Sequence, residues 1–162
     1  MAKLRRPLAV AALAVMGMIW TAPRAQGNEP PADLCTLLPA ADVSKALGAT
    51  YGAPEKSVAM RPYKDTNEGT DCTYHAKDNK LLLRAYVDAS PEQAKDLFAR
   101  LSMFFGPPQP VAGLGDEAYF DARHGLHVRK GKVRFFLSAS GPFSPAAEKG
   151  LKDLASEVVG KL

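Results

Sequence analysis

Apolar positions recur at helical spacing in three stretches of the chain and at alternating spacing between them. In PAADVSKALG, residues 39–48, Val43, Ala46 and Leu47 share one side of a helix that opens at Pro39, where proline is tolerated, and stops at Gly48. Ser90, followed by Pro91 and by Gln93 three residues on, is a capping pattern. Ala94, Leu97, Phe98, Leu101, Phe104 and Phe105 continue it at helical spacing until GPPQP ends the run. The Phe and Met residues of this second helix are therefore expected in the core. A third helix is predicted from Ser144-Pro145, with Ala147, Leu151, Leu154, Ala155, Val158 and Leu162 on one face. Between the helices the period falls to two. TDCTYHA, KLLLRAYVDA, DEAYFDA, LHVRK and KVRFFLSAS read as strands, and a further one is predicted near KSVAM. The turn pairs Asp78-Asn79, His124-Gly125 and Lys130-Gly131 make hairpin-length links, so the strands are antiparallel. The expected fold is α+β, with an antiparallel sheet of five or six strands packed with three helices.

The N-terminus changes what the charge means. Lys3, Arg5 and Arg6 precede an apolar run of 13 residues, 8–20, and Ala25-Gln26-Gly27 follows as a small-x-small site. These are the three parts of a secretory signal peptide, and the run is shorter than the roughly 20 residues of a membrane span. Residues 1–27 are thus expected to be removed, with Ala25 as the other candidate cleavage site. Residues 28–34 form a flexible lead-in, and 35–162 form a single domain. Four of the 21 Lys/Arg belong to the signal, so the remainder balances the 17 Asp/Glu. The mature chain is near neutral, which removes the main reason to expect a nucleic-acid partner. No membrane span is expected in it. Cys35 and Cys72 are the only cysteines. Export carries them to an oxidising compartment, periplasmic or extracellular, where a disulfide is the expected outcome. Two thiols do not complete a metal shell. Asp33 and Leu34 before Cys35 are not the small residues that lipid attachment wants.

The order DLCTLLPAADVSKALG, then DCTY before a hairpin, then GLGDEAYF, a Lys-Gly hairpin and a final helix resembles small secreted and lipoprotein bacterial domains of unknown function, related to the PsbP-like α/β/α sandwich. The resemblance spans residues 33–162. It implies pairing of Cys35 with Cys72, and a binding or accessory role in place of catalysis. The lipid-attachment cysteine of the lipoprotein members is missing, so membrane anchoring is not implied.

The stretch VAGLGDEAYF, residues 111–120, looks most like chemistry. A dinucleotide loop needs a third glycine and a following helix. Here Ala118 takes the third position and the continuation alternates like a strand. Asp116 and Glu117 are adjacent, so on a strand they face opposite ways and make a poor acid/base pair. They are expected to be solvated residues at a strand entry. His124 and His127 have metal-like spacing, but it spans a turn with no third ligand evident. No nucleophile motif is present, since Ser90 and Ser144 serve as helix caps. No catalytic residue, metal site or cofactor is expected.

Alternation also sorts the strands into two faces. One carries Cys72, Tyr74, Leu81, Leu83, Val128, Phe135 and Leu137. The other gathers His75, Arg84, Tyr86, His127, Arg129, Arg134 and Phe136. Arginine beside aromatic rings suits a planar carboxylate or a phosphate. That second face is the candidate ligand face, for a small anionic ligand or an envelope protein. The alternative is that these residues are solvated, or that a helix covers the face while the arginines run past it. The expected function is an exported cell-envelope binding or accessory module without catalysis. The alternatives are a structural or protein-interaction domain without a small ligand, and an enzyme without a recognisable motif.

Overall fold

The computed structural model describes residues 30–162, apart from position 65. The expected signal peptide lies outside the described residues. A 3-10 turn, Leu34–Leu37, leads into α1, Ala40–Leu47, and then β1, Glu55–Ala59, β2, Gly69–His75, and β3, Lys80–Val87. Next come α2, Pro91–Ser102, β4, Gln109–Pro110, β5, Glu117–Phe120, β6, Leu126–Lys130, β7, Val133–Ala139, and α3, Pro145–Gly160. One antiparallel sheet has the order β1-β2-β3-β7-β6-β5-β4. It holds seven strands, against the five or six expected. The extra strand is β4, two residues inside the proline-rich run that ends the second helix. Proline lacks the N–H of a ladder and is tolerated at a sheet edge, which is where β4 lies.

The strand order explains the layers. The first meander, β1 to β3, ends at the centre of the sheet, and the second begins at the far edge with β4. The connection between them must cross a face, and α2 is that crossing. After β7 the chain is again at the centre, and α3 returns along the opposite face. The result is helices on both sides of a sheet.

The first face and its helices form the main core. Tyr74, Leu81, Leu83, Leu126, Val128 and Leu137 from the sheet meet Val43, Leu151, Leu154 and Val158 from α1 and α3, all fully buried. α1 and α3 approach closely at Gly150, where a Cβ would come within 2.7 Å of the Ala46 carbonyl oxygen. The disulfide Cys35–Cys72 has Cα atoms 5.5 Å apart and ties the 3-10 turn to β2. Beside it the buried Tyr74 hydroxyl donates to the Leu38 carbonyl at 2.5 Å. Ser90 and Ser144 cap α2 and α3, accepting from the amides of Gln93 and Ala147. α2 ends sooner than its apolar stripe. Its buried residues are Ala94, Leu97 and Phe98. Met103 and Phe104 are 76% and 70% exposed, which corrects the expectation that they are core.

Candidate functional site

The second face is built by register. Arg84 pairs with Asp71 on one side and Phe136 on the other, and Phe136 with His127. One row along, Tyr86 pairs with Arg134 and Arg134 with Arg129. His75 pairs with Lys80 at the far end of the same face. Pairing alternates with side-chain direction, so all seven sequence-chosen residues share this face. They fall into three places. His75 lies at the edge beside Glu55, 3.4 Å away. Arg129 is held by Glu117 at 2.9 Å and Asp116 at 3.0 Å. Only Arg84, Tyr86, His127, Arg134 and Phe136 come together, as the floor of a groove.

The groove has a volume of about 600 Å³. One wall is the C-terminal half of α2 with the turn after it, contributing Phe98, Leu101, Phe104 and Phe105. The other wall is the β1–β2 loop, with Met60, Arg61, Pro62 and Tyr63. The Tyr86 hydroxyl donates to the Met60 carbonyl at 2.8 Å, and the Asn67 amide donates to the Val87 carbonyl at 2.7 Å. These bonds fasten the loop over β3. Met60 and Phe104 stand on opposite walls, 82% and 70% exposed. Sequence reasoning missed both walls. Residues 61–70, RPYKDTNEGT, are mostly polar and show no periodicity, although Pro62 and Tyr63 inside them are a signal. The stripe running on to Phe104 and Phe105 was another, since it outlasts the helix.

The arginines of this face are paired within the protein. Arg134 makes a bidentate pair with Asp88, at 2.5 and 2.9 Å, and its guanidinium lies 5.1 Å from the Tyr86 ring centre. The side chains of Arg134 and Asp88 are 3% and 1% exposed. Arg84 donates a bidentate pair of hydrogen bonds to Asp71, both 2.7 Å, and this pairing raises the guanidinium's pKa. Arg61 meets Glu68 at 2.9 Å on the rim. The Tyr63 hydroxyl is buried without a hydrogen-bond partner.

His127 forms the inner end of the floor. Its Nε2 lies 3.0 Å from Asp121 Oδ2, and its ring stacks on Tyr119 at 4.7 Å with Phe136 also 4.7 Å away. A histidine oriented by an aspartate suggests a catalytic base, but this imidazole is wedged between aromatic rings beneath α2. Asp121 is also a turn-closing group, accepting from the amides of Arg123 and Gly125. Burial lowers the pKa of His127, with Asp121 opposing in part. The folded state holds neutral imidazole, while the unfolded chain takes up a proton near pH 6.5. Stability contributed by neutral His127 is complete above that pH and is lost as the pH falls through it towards the lower folded pKa. Wild type is expected to lose more stability between pH 7.5 and 5 than His127→Gln does. Parallel pH profiles of the denaturation midpoint would overturn this.

The GLGDEAYF turn serves Arg129. Gly115 has φ 62°, and a Cβ there would lie 2.5 Å from the Arg129 carbonyl oxygen, so only glycine fits. Asp116 and Glu117 do not face opposite ways, because Asp116 precedes β5 and curls back. Burial works against the Asp116 carboxylate, but the Gly131 amide and the Lys130 and Arg129 cations outweigh it and hold the carboxyl below its usual range. His124 lies away from His127, stacked on Phe143 at 4.0 Å. Among the described residues no three His, Cys, Asp or Glu side chains gather as a metal-binding set.

The fold is similar to the crystal structure of the extracellular domain of PknH from Mycobacterium tuberculosis. The TM-score is 0.57 over 83% of this chain and 98% of that one, at 11% sequence identity. At that identity the likeness is one of fold alone. No family model matches the chain, and no curated protein matches it. Among the described residues no helix is long and apolar enough to cross a membrane.

Proposed function

We propose that this chain is an exported envelope module that holds an apolar ligand in the groove of its second face and performs no chemistry on it. The observation that carries this is the groove: about 600 Å³, walled by phenylalanines, with Met60 and Phe104 exposed at its mouth. That volume lies within the range of small-molecule sites. Export is supported by the three-part N-terminus and the disulfide. Kinship with PsbP-like domains rests on the order of the sequence motifs. The absence of catalysis is supported by the enclosure of His127 and by the pairing of the arginines with carboxylates.

The test is binding of N-phenyl-1-naphthylamine, an uncharged dye whose fluorescence rises in apolar surroundings. Saturable binding is expected, and Phe104→Asp is expected to weaken it at least about tenfold, from lost aromatic burial of about 1.5–3 kcal/mol. Phe104 is mostly exposed, so the thermal midpoint should stay close to that of wild type. Equal dye affinity in Phe104→Asp and wild type would contradict the assignment. The exposed Met60, Met103 and Phe104 also favour a second reading, an interaction surface for a protein partner. That reading predicts no saturable dye binding.

A further inference from the structure

We infer that the groove selects an uncharged lipid-like ligand, an apolar body carrying one oxygen acceptor, and that Tyr63 supplies the hydrogen bond to that oxygen. This rests on the groove being the ligand site and adds the chemistry of what enters it.

Charge matching is the first argument. Three arginines border the groove, and each already faces its own carboxylate: Arg134 faces Asp88, Arg84 faces Asp71 and Arg61 faces Glu68. The two floor pairs are bidentate, so each takes up Nε and Nη2 of its guanidinium. An incoming carboxylate would shed water among phenylalanines, and each floor cation it met would already be held by an aspartate. Its desolvation would be costly and poorly compensated. A neutral molecule meets no such penalty.

Hydrogen bonding is the second argument. Of the two tyrosines that line the groove, Tyr86 spends its hydroxyl on the Met60 carbonyl. The Tyr63 hydroxyl is buried and unmatched. A buried donor without a partner is unfavourable, so on binding the Tyr63 hydroxyl is expected to turn from its covered position towards the ligand oxygen and recover a bond the protein alone leaves unmade. An alcohol or ester oxygen meets that need without bringing charge.

The experiment is displacement of bound N-phenyl-1-naphthylamine by dodecanol and by dodecanoate at pH 8, each below its aggregation limit, for wild type and Tyr63→Phe. The two competitors share one chain and differ in the charge of the end group. Dodecanol is expected to displace the dye at least about tenfold more effectively than dodecanoate. Tyr63→Phe is expected to weaken dodecanol about fivefold more than it weakens the dye, as loss of one ordinary hydrogen bond implies. Displacement by dodecanoate equal to or better than dodecanol overturns the neutral class. Unchanged dodecanol affinity in Tyr63→Phe overturns the assignment of Tyr63. Failure of the dye itself to bind wild type overturns the groove as ligand site, a separate result from either.

Discussion

Asp88→Asn is expected to destabilise the fold by about 3–5 kcal/mol, the cost of leaving one member of a buried ion pair alone. Arg134 is 3% exposed, and its cation would be left facing an amide. The pair joins the end of β3 to β7, the seam where the two meanders meet, so the damage falls at the centre of the sheet. Replacing both partners by apolar residues of similar size, Asp88→Leu with Arg134→Met, is expected to cost less than Asp88→Asn alone. Urea denaturation of both variants measures this. A loss below about 1 kcal/mol for Asp88→Asn would show that the pair is not the buried, matched unit described. The exposed pair of Arg61 and Glu68 makes the contrast, since such pairs are worth about 0–1 kcal/mol.

Converting both Cys35 and Cys72 to Ser is expected to lower stability by about 4 kcal/mol, the chain-entropy value for a loop of this length. The bridge spans 37 positions and holds the N-terminal turn against β2. Against a usual total of roughly 5–15 kcal/mol this is a large share. The thermal midpoint should fall on the order of 15 °C. The turn retains its hydrogen bond to Tyr74 and its packing in the core, so the variant should still fold in the cold. A midpoint within about 3 °C of the oxidised protein would contradict the prediction.

Local signals carried much of the fold. Strict alternation through Leu81, Leu83 and Ala85 marked the buried side of β3, and Ser90-Pro91 marked the start of α2. What stayed hidden was non-local. Asp71 and Asp88 both read as strand residues, yet they neutralise arginines 13 and 46 positions away. No spacing rule reports such partners, so the second face looked more basic than it is. The end of α2 was hidden for another reason. Amphipathic periodicity says which side is apolar but not where pairing stops, and Phe104 keeps the period while standing in solvent beyond Ser102. The strand β4 was too short to alternate at all.

The most direct test of the groove as the ligand site is an amide chemical-shift titration of the isotope-labelled protein with dodecanol. Saturable shifts are expected at Tyr63, Arg84, Phe104 and Phe136, which surround the groove, with little change at Leu151 and Leu154, which α3 buries on the opposite face. Shifts centred on α1 and α3 would contradict this, and so would an unchanged spectrum at the highest dodecanol concentration that stays monomeric.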